Sequence, residues 1–359
     1  MSDHPYRHRP DFADWRRAVE TVNPADLDPV VAFPFRITPD DKVATAGSCF
    51  AQHMARHLSG NGLRHFVAER AHPFLTPDLA TAYNYGTFSC RYGNLYTPRQ
   101  LLQLFDRAYE RFSPADDVWT EADGRLIDPF RPRIQPGGFP TRAEYDADRQ
   151  QHFAAVRAMF EQLDYFVFTL GLTECWRSRE DGSVYPLCPG VSGGTFDAAR
   201  HEFLNLDVAE VTNDIQQFLA RLATVNAHAR VILTVSPVPL VATAEPRHVL
   251  VSTTLSKAVL RVACDVITRR HPHVAYFPSY EIITGPSARG RYFDTDFRSV
   301  REAGVRHVMR SFFRHATVEG PSTATGATPE PQDGQAAEAF LADMQQVVQV
   351  ICDEEALRQ

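Results

Sequence analysis

Apolar residues recur along this chain with two periods, and the alternation between them sets out its elements. Val43–Ala46, Asp164–Leu170 and Ala229–Val235 are short, mainly apolar stretches rich in β-branched and aromatic residues. Such runs suit strands buried on both faces of a parallel sheet. Leu63–Val67 and Val274–Phe277 read as two further strands. Helical spacing follows the strands. Phe50, Met54, Ala55 and Leu58 share one face, as do Leu101, Leu102, Leu104, Phe105 and Ala108. Longer helices are predicted over 141–163, 208–226 and 255–271, and a short one over 76–83. The helix near 98 has Thr97 as cap and Pro98 in its first turn. Thr141 and Glu144 form a capping-box pattern, as do Ser299 and Glu302. Strand and helix in repeated alternation predict a three-layer α/β/α sandwich on a mostly parallel sheet.

The remaining stretches are irregular. Residues 1–32 are rich in Pro, Asp and Arg and read as an arm along the domain edge. Asp116–Asp128 reads as a hairpin turned at Asp123 and Gly124. Asp181–Phe196, with four glycines, reads as a flap and matches no phosphate-binding fingerprint. Residues 316–336 lack periodicity and read as a flexible linker. Residues 337–359 regain a helical stripe at Phe340, Leu341, Met344, Val347, Val348 and Ile351. That stripe docks back on the domain or supports self-association through the C-terminal helix.

Composition narrows the function classes. The chain has 359 residues, 44% hydrophobic and 23% charged, ordinary for one large α/β domain. A net charge of −7 gives no case for a nucleic-acid partner. No apolar run is long enough for a membrane span, and no secretory leader is evident, so cytoplasmic is the default location. The six cysteines lack C-x-x-C spacing and suggest neither a zinc site nor a disulfide framework. No cofactor is implied.

Chemistry concentrates where strands end. Val43–Ala46 passes through Gly47, Ser48 and Cys49 straight into a helix. A serine at such a turn lies at the carboxyl edge of the sheet, where open α/β sheets bind ligands. Its hydroxyl can face a crevice above the positive end of the helix. A serine at this junction serves equally well as an N-cap. Cys49 is either a second candidate nucleophile or a small buried apolar residue.

The string Gly47, Ser48, Cys49, Phe50, Ala51 resembles the signature of the GSCFA domain family, itself similar to the SGNH/GDSL hydrolases. The likeness runs over about 33–315. It implies a flavodoxin-like sandwich and an active serine at Ser48, and leaves the substrate open. By the same resemblance, Gly93 to Tyr96 matches a "Gly-x-x-Tyr" loop, placing Gly93 and Asn94 near an oxyanion. Where SGNH enzymes carry Gly-x-Asn-Asp, this chain has Gly171, Leu172, Thr173 and Glu174. The oxyanion-binding Asn is therefore absent, and Thr173 or Glu174 is left to replace it. An ionised Glu174 would repel an oxyanion. The late Asp-x-x-His motif is matched by Asp296, but its histidine position reads Ser299.

Three groups stand as substitute base. His307 is better read as core. His248 lies in a loop at the carboxyl edge of the sheet and is preferred. Lys257 qualifies only if desolvation lowers its pKa, and is read as solvated. The resulting expectation is a serine esterase or O-acyltransferase built on Ser48, His248 and Asp296. It would act on an O-acyl group, acetyl above all, of a carbohydrate or small metabolite. The alternative is a catalytically silent protein that binds a carbohydrate or a partner protein.

Overall fold

The computed structural model describes residues 4–60, 62–318 and 353–358. Strand β1 (Val43–Gly47) leads directly into α1 (Cys49–Gly60). Then come α2 (Pro77–Ala82), α3 (Pro98–Ala108) and a hairpin of β2 (Trp119–Thr120) and β3 (Leu126–Ile127). After it come α4 (Arg142–Gln162), β4 (Tyr165–Leu170), β5 (Glu174–Ser178), β6 (Val184–Tyr185) and β7 (His201–Asn205). The rest is α5 (Val208–Val225), β8 (Arg230–Val235), α6 (Val249–Arg270), β9 (Val274–Tyr276), α7 (Ser279–Thr284) and α8 (Glu302–Ala316).

The central sheet has the order β1-β4-β8-β9, and each of its pairs is parallel. Period-two alternation assigns its side chains to two cores. Ala44, Ala46, Phe166, Phe168, Leu170, Val231, Leu233 and Val235 face one side and meet apolar residues of α3, α4, α5 and α6. Val43, Tyr165, Val167 and Ile232 face the other and meet Phe50, Met54 and Leu58 of α1, with residues of α7 and α8. The result is the three-layer α/β/α sandwich expected from the alternation of elements.

Several local expectations change. Leu63–Val67 forms no full strand; it contributes one parallel bridge, His65 to Val43, at the edge of the sheet. The stretch read as a flap is partly a sheet, because β6 and β7 flank β5 in an antiparallel layer of order β6-β5-β7. Helix α6 starts six residues earlier than predicted, which carries Ser256 and Lys257 from its opening turn into its buried interior. Ser299 does not cap α8, whose N-cap is Arg301 with no side-chain bond; its hydroxyl donates to Asp296 Oδ2 at 2.7 Å instead. Thr97 and Thr141 do cap α3 and α4. In the N-terminal stretch, Asp28 accepts from Ser311 and pairs with Arg314 and His315 of α8. The expected linker begins inside the structure, where Ala316 ends α8 and Thr317 bridges Ile37; its remainder from 319, the C-terminal helical stripe and the self-association read from it lie outside the described residues, apart from Asp353–Arg358. Among the described residues, no helix is long and apolar enough to cross a membrane.

Candidate functional site

The parallel strands end together, and the site forms on that edge. At the end of β1, Gly47 adopts φ +138°, and a Cβ there would fall 2.3 Å from the Thr169 carbonyl oxygen. Only glycine fits so close a backbone approach. Beyond it the Ser48 N–H donates to Thr169 O at 3.1 Å, and Ser48 O accepts from Ala51 N at 2.8 Å. Ser48 is 2% exposed. Its hydroxyl has no hydrogen-bond partner among the described residues, so it does not cap α1. A buried hydroxyl left unpaired is costly. Because the Ser48 N–H is spent on Thr169, it is not the oxyanion donor that this position suggests.

Next to it runs the 93–96 loop. Leu95 N donates to Gly47 O at 2.9 Å, and Tyr96 O accepts from Gly171 N at 2.8 Å and Leu172 N at 3.1 Å. The loop is thereby stitched between the ends of β1 and β4. A buried ionic network fixes its near end. Arg91 Nη1 pairs with Asp148 at 2.6 Å, and Arg131 reaches Asp148 at 2.8 Å and Asp128 at 2.7 Å. Glu69 accepts from Arg91 N and His152 Nδ1, both at 2.7 Å. Burial works to raise the Glu69 pKa, but His152, Arg131 and the Arg91 N–H hold it at about 2. Gly93 has φ +69° and open space beside its Cα. Asn94 is oriented by Gln52, whose Nε2 donates to Asn94 Oδ1 at 3.2 Å, and its Nδ2 then points to a carboxylate, Asp353 Oδ2, at 2.8 Å.

The third wall is the end of β4. A Cβ at Gly171 would lie 3.0 Å from Ser48 Cβ and 3.1 Å from Tyr96 Cδ1, so Gly171 sits against the serine. Its carbonyl accepts from Lys257 Nζ at 2.5 Å. Lys257 is 2% exposed, not solvated. Desolvation pulls its pKa down to about 7, against the charge of Glu354 and with that of Arg298. Thr173 and Glu174 are not aimed at this point. The Thr173 hydroxyl donates to Asn205 Oδ1 at 2.7 Å, and its N–H donates to Ser256 Oγ. Glu174 accepts from Thr243 Oγ1 at 2.7 Å and lines an adjoining cavity. Burial raises its pKa, against the Thr243 and Ala244 hydrogen bonds.

The structure joins Ser48, the 93–96 loop, Gly171 and Lys257, and leaves His248 and Asp296 apart from them. His248 is exposed, and its Nδ1 accepts from Leu250 N at 3.1 Å as the N-cap of α6. Asp296 is exposed and accepts from Ser299 and from the N–H groups of Arg298 and Ser299. Those bonds hold its pKa low despite partial burial. His307 is core: Tyr292 OH and Leu27 O hold its two ring nitrogens at 2.6 and 2.7 Å. Cys49 is disulfide-bonded and so offers no thiolate, a link that cysteine spacing did not suggest. Cys90, Cys175, Cys188 and Cys264 are free, and Cys352 lies outside the described residues.

Two contributors, Gln52 and Arg298, escaped the sequence reading, while Lys257 was named there as a base only on condition of desolvation and lies buried on α6 with Ser252 and Ser256. Gln52 stands four residues after Ser48 on α1. Arg298 lies inside the stretch matched to Asp-x-x-His, where attention falls on the missing histidine.

The chain belongs to the GSCFA family, whose profile matches residues 42–312. No curated protein matches it.

Proposed function

We propose that this GSCFA-family protein is an acyl-ester hydrolase or O-acyltransferase in which Ser48 is the nucleophile and Lys257 replaces the usual histidine. The observation that carries this reading is the buried, partnerless Ser48 hydroxyl beside Gly171, whose carbonyl holds the desolvated Lys257 amine. An uncharged lysine is a competent base for serine, and burial is what makes it available at neutral pH.

The steps follow from that arrangement. Neutral Lys257 turns from Gly171 O and takes the Ser48 proton as Oγ bonds to the acyl carbon. The carbonyl oxygen becomes an oxyanion, held by Asn94 Nδ2, which Gln52 orients, and by the Gly93 N–H. The ester C–O bond then breaks, and the leaving alcohol takes its proton from Lys257. Water or an acceptor hydroxyl attacks the acyl-serine in the reverse sequence, which separates hydrolase from transferase. The substrate proposed with this chemistry is an O-acyl group, acetyl first, of a carbohydrate or small metabolite. The adjoining cavity of about 300 Å³, lined by Leu172, Trp176, Leu187, Phe203 and Leu240, offers an apolar wall to the substrate.

The test is 4-nitrophenyl acetate turnover with intact-mass detection of an acyl adduct. Wild type is expected to turn over and to carry the adduct on the Ser48 peptide, and Ser48→Ala to lose both. An adduct that survives Ser48→Ala sinks the assignment. A second reading rests on Ser299 and on the capping role of His248: a silent member of the family that binds a carbohydrate or partner protein. Saturable ligand binding without turnover or adduct would favour it.

A further inference from the structure

Apart from the Ser48 hydroxyl, the polar groups around the crevice are engaged by the same chain. Asp353 gives Oδ2 to Asn94 Nδ2 at 2.8 Å, its N–H donates to Tyr96 OH at 3.2 Å, and Arg133 lies 3.9 Å from its Oδ1. Glu354 accepts from Arg298 Nη2 at 2.7 Å, and Glu355 accepts from Arg298 Nη1. Arg298 is 5% exposed and is anchored by its Nε on Pro239 O at 3.1 Å. Leu357 enters the wall of the 300 Å³ cavity. Three consecutive acidic residues thus lie on an amide, a buried guanidinium and the surroundings of a buried amine, with an apolar residue in the cavity beyond.

We infer that the crevice beside Ser48 is built to recognise an acidic ligand, and that residues 353–358 occupy it as an internal stand-in. Arg298 forms the anion subsite, Asn94 keeps its place at the oxyanion, and the cavity lined by Trp176, Phe203 and Leu187 takes the apolar limb. The substrate class is therefore an acyl ester that also carries a carboxylate. This inference rests on the proposed serine chemistry for the word substrate, but not for the binding.

The geometry favours a ligand over mere structural glue. A carboxylate oxygen on Asn94 Nδ2 occupies the place of an oxyanion, and its own backbone N–H satisfies Tyr96. Arg298 keeps one backbone partner, Pro239 O, and gives both of its terminal nitrogens to carboxylates of the segment. Arginine presents its fork for bidentate carboxylate recognition. The buried Lys257 amine adds positive charge on the same side when protonated.

The test uses the full chain carrying Asp353→Asn, Glu354→Gln and Glu355→Gln together, so that the segment remains but loses its charge. The probe is the acetylated, amidated peptide Asp-Glu-Glu-Ala-Leu-Arg-Gln, followed by titration calorimetry. The triple variant should bind it saturably, and at least about tenfold more tightly than wild type, where the tethered segment competes. Adding Arg298→Gln should abolish binding, and adding Arg298→Lys should restore part of it. Thermal melts identify any variant that has not folded. Equal affinity for wild type and triple variant, or binding indifferent to Arg298→Gln in a folded chain, overturns the inference.

A second arm reads the substrate class. In the triple variant, mono-4-nitrophenyl glutarate should exceed uncharged 4-nitrophenyl valerate by about tenfold in kcat/KM, and Arg298→Gln should erase that preference. Turnover of both esters at equal rates overturns the substrate claim. Peptide binding without any turnover leaves the subsite standing and removes the serine chemistry. Turnover without peptide binding does the reverse.

Discussion

The Lys257 amine donates to the carbonyl of Gly171 at 2.5 Å, and the Cα of the same glycine lies against Ser48. One residue thus separates a desolvated base from an unpaired hydroxyl. Its amide plane fixes the amine, and its missing side chain leaves room for the serine.

A pH profile follows from this relationship. Lys257 must be neutral to accept the serine proton, and its pKa is pulled to about 7 by burial. Ester turnover should therefore rise with pH through about 7 and stay high above it. Glu354 opposes that depression with its charge, so Glu354→Gln should move the rise to lower pH. Lys257→Met should remove turnover at every pH while leaving the melt intact. A profile unmoved by Glu354→Gln, or activity retained in Lys257→Met, removes Lys257 from the mechanism.

Gly171→Ala tests the shared wall. The added Cβ would stand 3.0 Å from Ser48 Cβ, tighter than ordinary packing, and 3.1 Å from Tyr96. A displacement of about 1 Å at a nucleophile costs about a hundredfold in rate, so the smaller shift here should cost about tenfold or more. Stability should change far less, by about 1–3 kcal/mol of overpacking. Equal kcat in a folded Gly171→Ala protein would show that the wall does not position Ser48.

Acid should unfold the protein through its buried histidines. Burial lowers the pKa of His53 and His65 from 6.5 to about 4. A histidine depressed in this way protonates more readily in the unfolded chain, so its stability is complete above pH 6.5 and lost as pH falls through 6.5 towards 4. Each shift corresponds to about 3 kcal/mol. Glu69, held at about 2, adds a further loss between about 4.5 and 2. Urea midpoints at pH 7, 5.5 and 4.5 should fall in that order, and His65→Gln should flatten the first step. Midpoints independent of pH would contradict the burial of these rings.

The ionic network behind the 93–96 loop should matter more than a surface pair. Asp148 receives both Arg91 and Arg131. Asp148→Asn leaves two nearly buried guanidiniums short of charge and should cost about 3–5 kcal/mol. Urea denaturation measures it directly, and a loss under 1 kcal/mol would place the network among ordinary surface pairs.

How far the sequence foretold these features varies with the range over which they are decided. The central strands were legible because Tyr165–Leu170 and Val231–Val235 are mainly apolar and buried on both faces, a pattern local in sequence. The turn at Ser48 was legible as a strand-to-helix junction, but whether its hydroxyl caps the helix depends on Thr169 and Gly171, more than a hundred residues away. Lys257 was misread because the start of α6 is set by His248, which caps it with a ring nitrogen rather than with one of the usual short oxygen-bearing side chains. Strands β6 and β7 escaped because two and five mixed residues carry too little periodicity to separate them from loop. The contacts of Asp353 and Glu354 join positions 56 to 259 residues apart, which no periodicity can encode.

The backbone at Gly47 has a consequence for how the motif itself should be read. A side chain there would strike the main chain of Thr169 at 2.3 Å, and Phe50 is locked into the core beneath. These letters are demanded by the crossing of two strands and a helix, whatever Ser48 does. The string is thus a signature of architecture. A descendant could discard the lysine, the amide or the serine and still spell the rest, because steric fit would penalise change in the frame long after the chemistry had gone. Sorting such chains into active and silent groups is a question to put to positions 257, 94 and 298, to which the proposed chemistry gives its base, its oxyanion donor and its anion subsite.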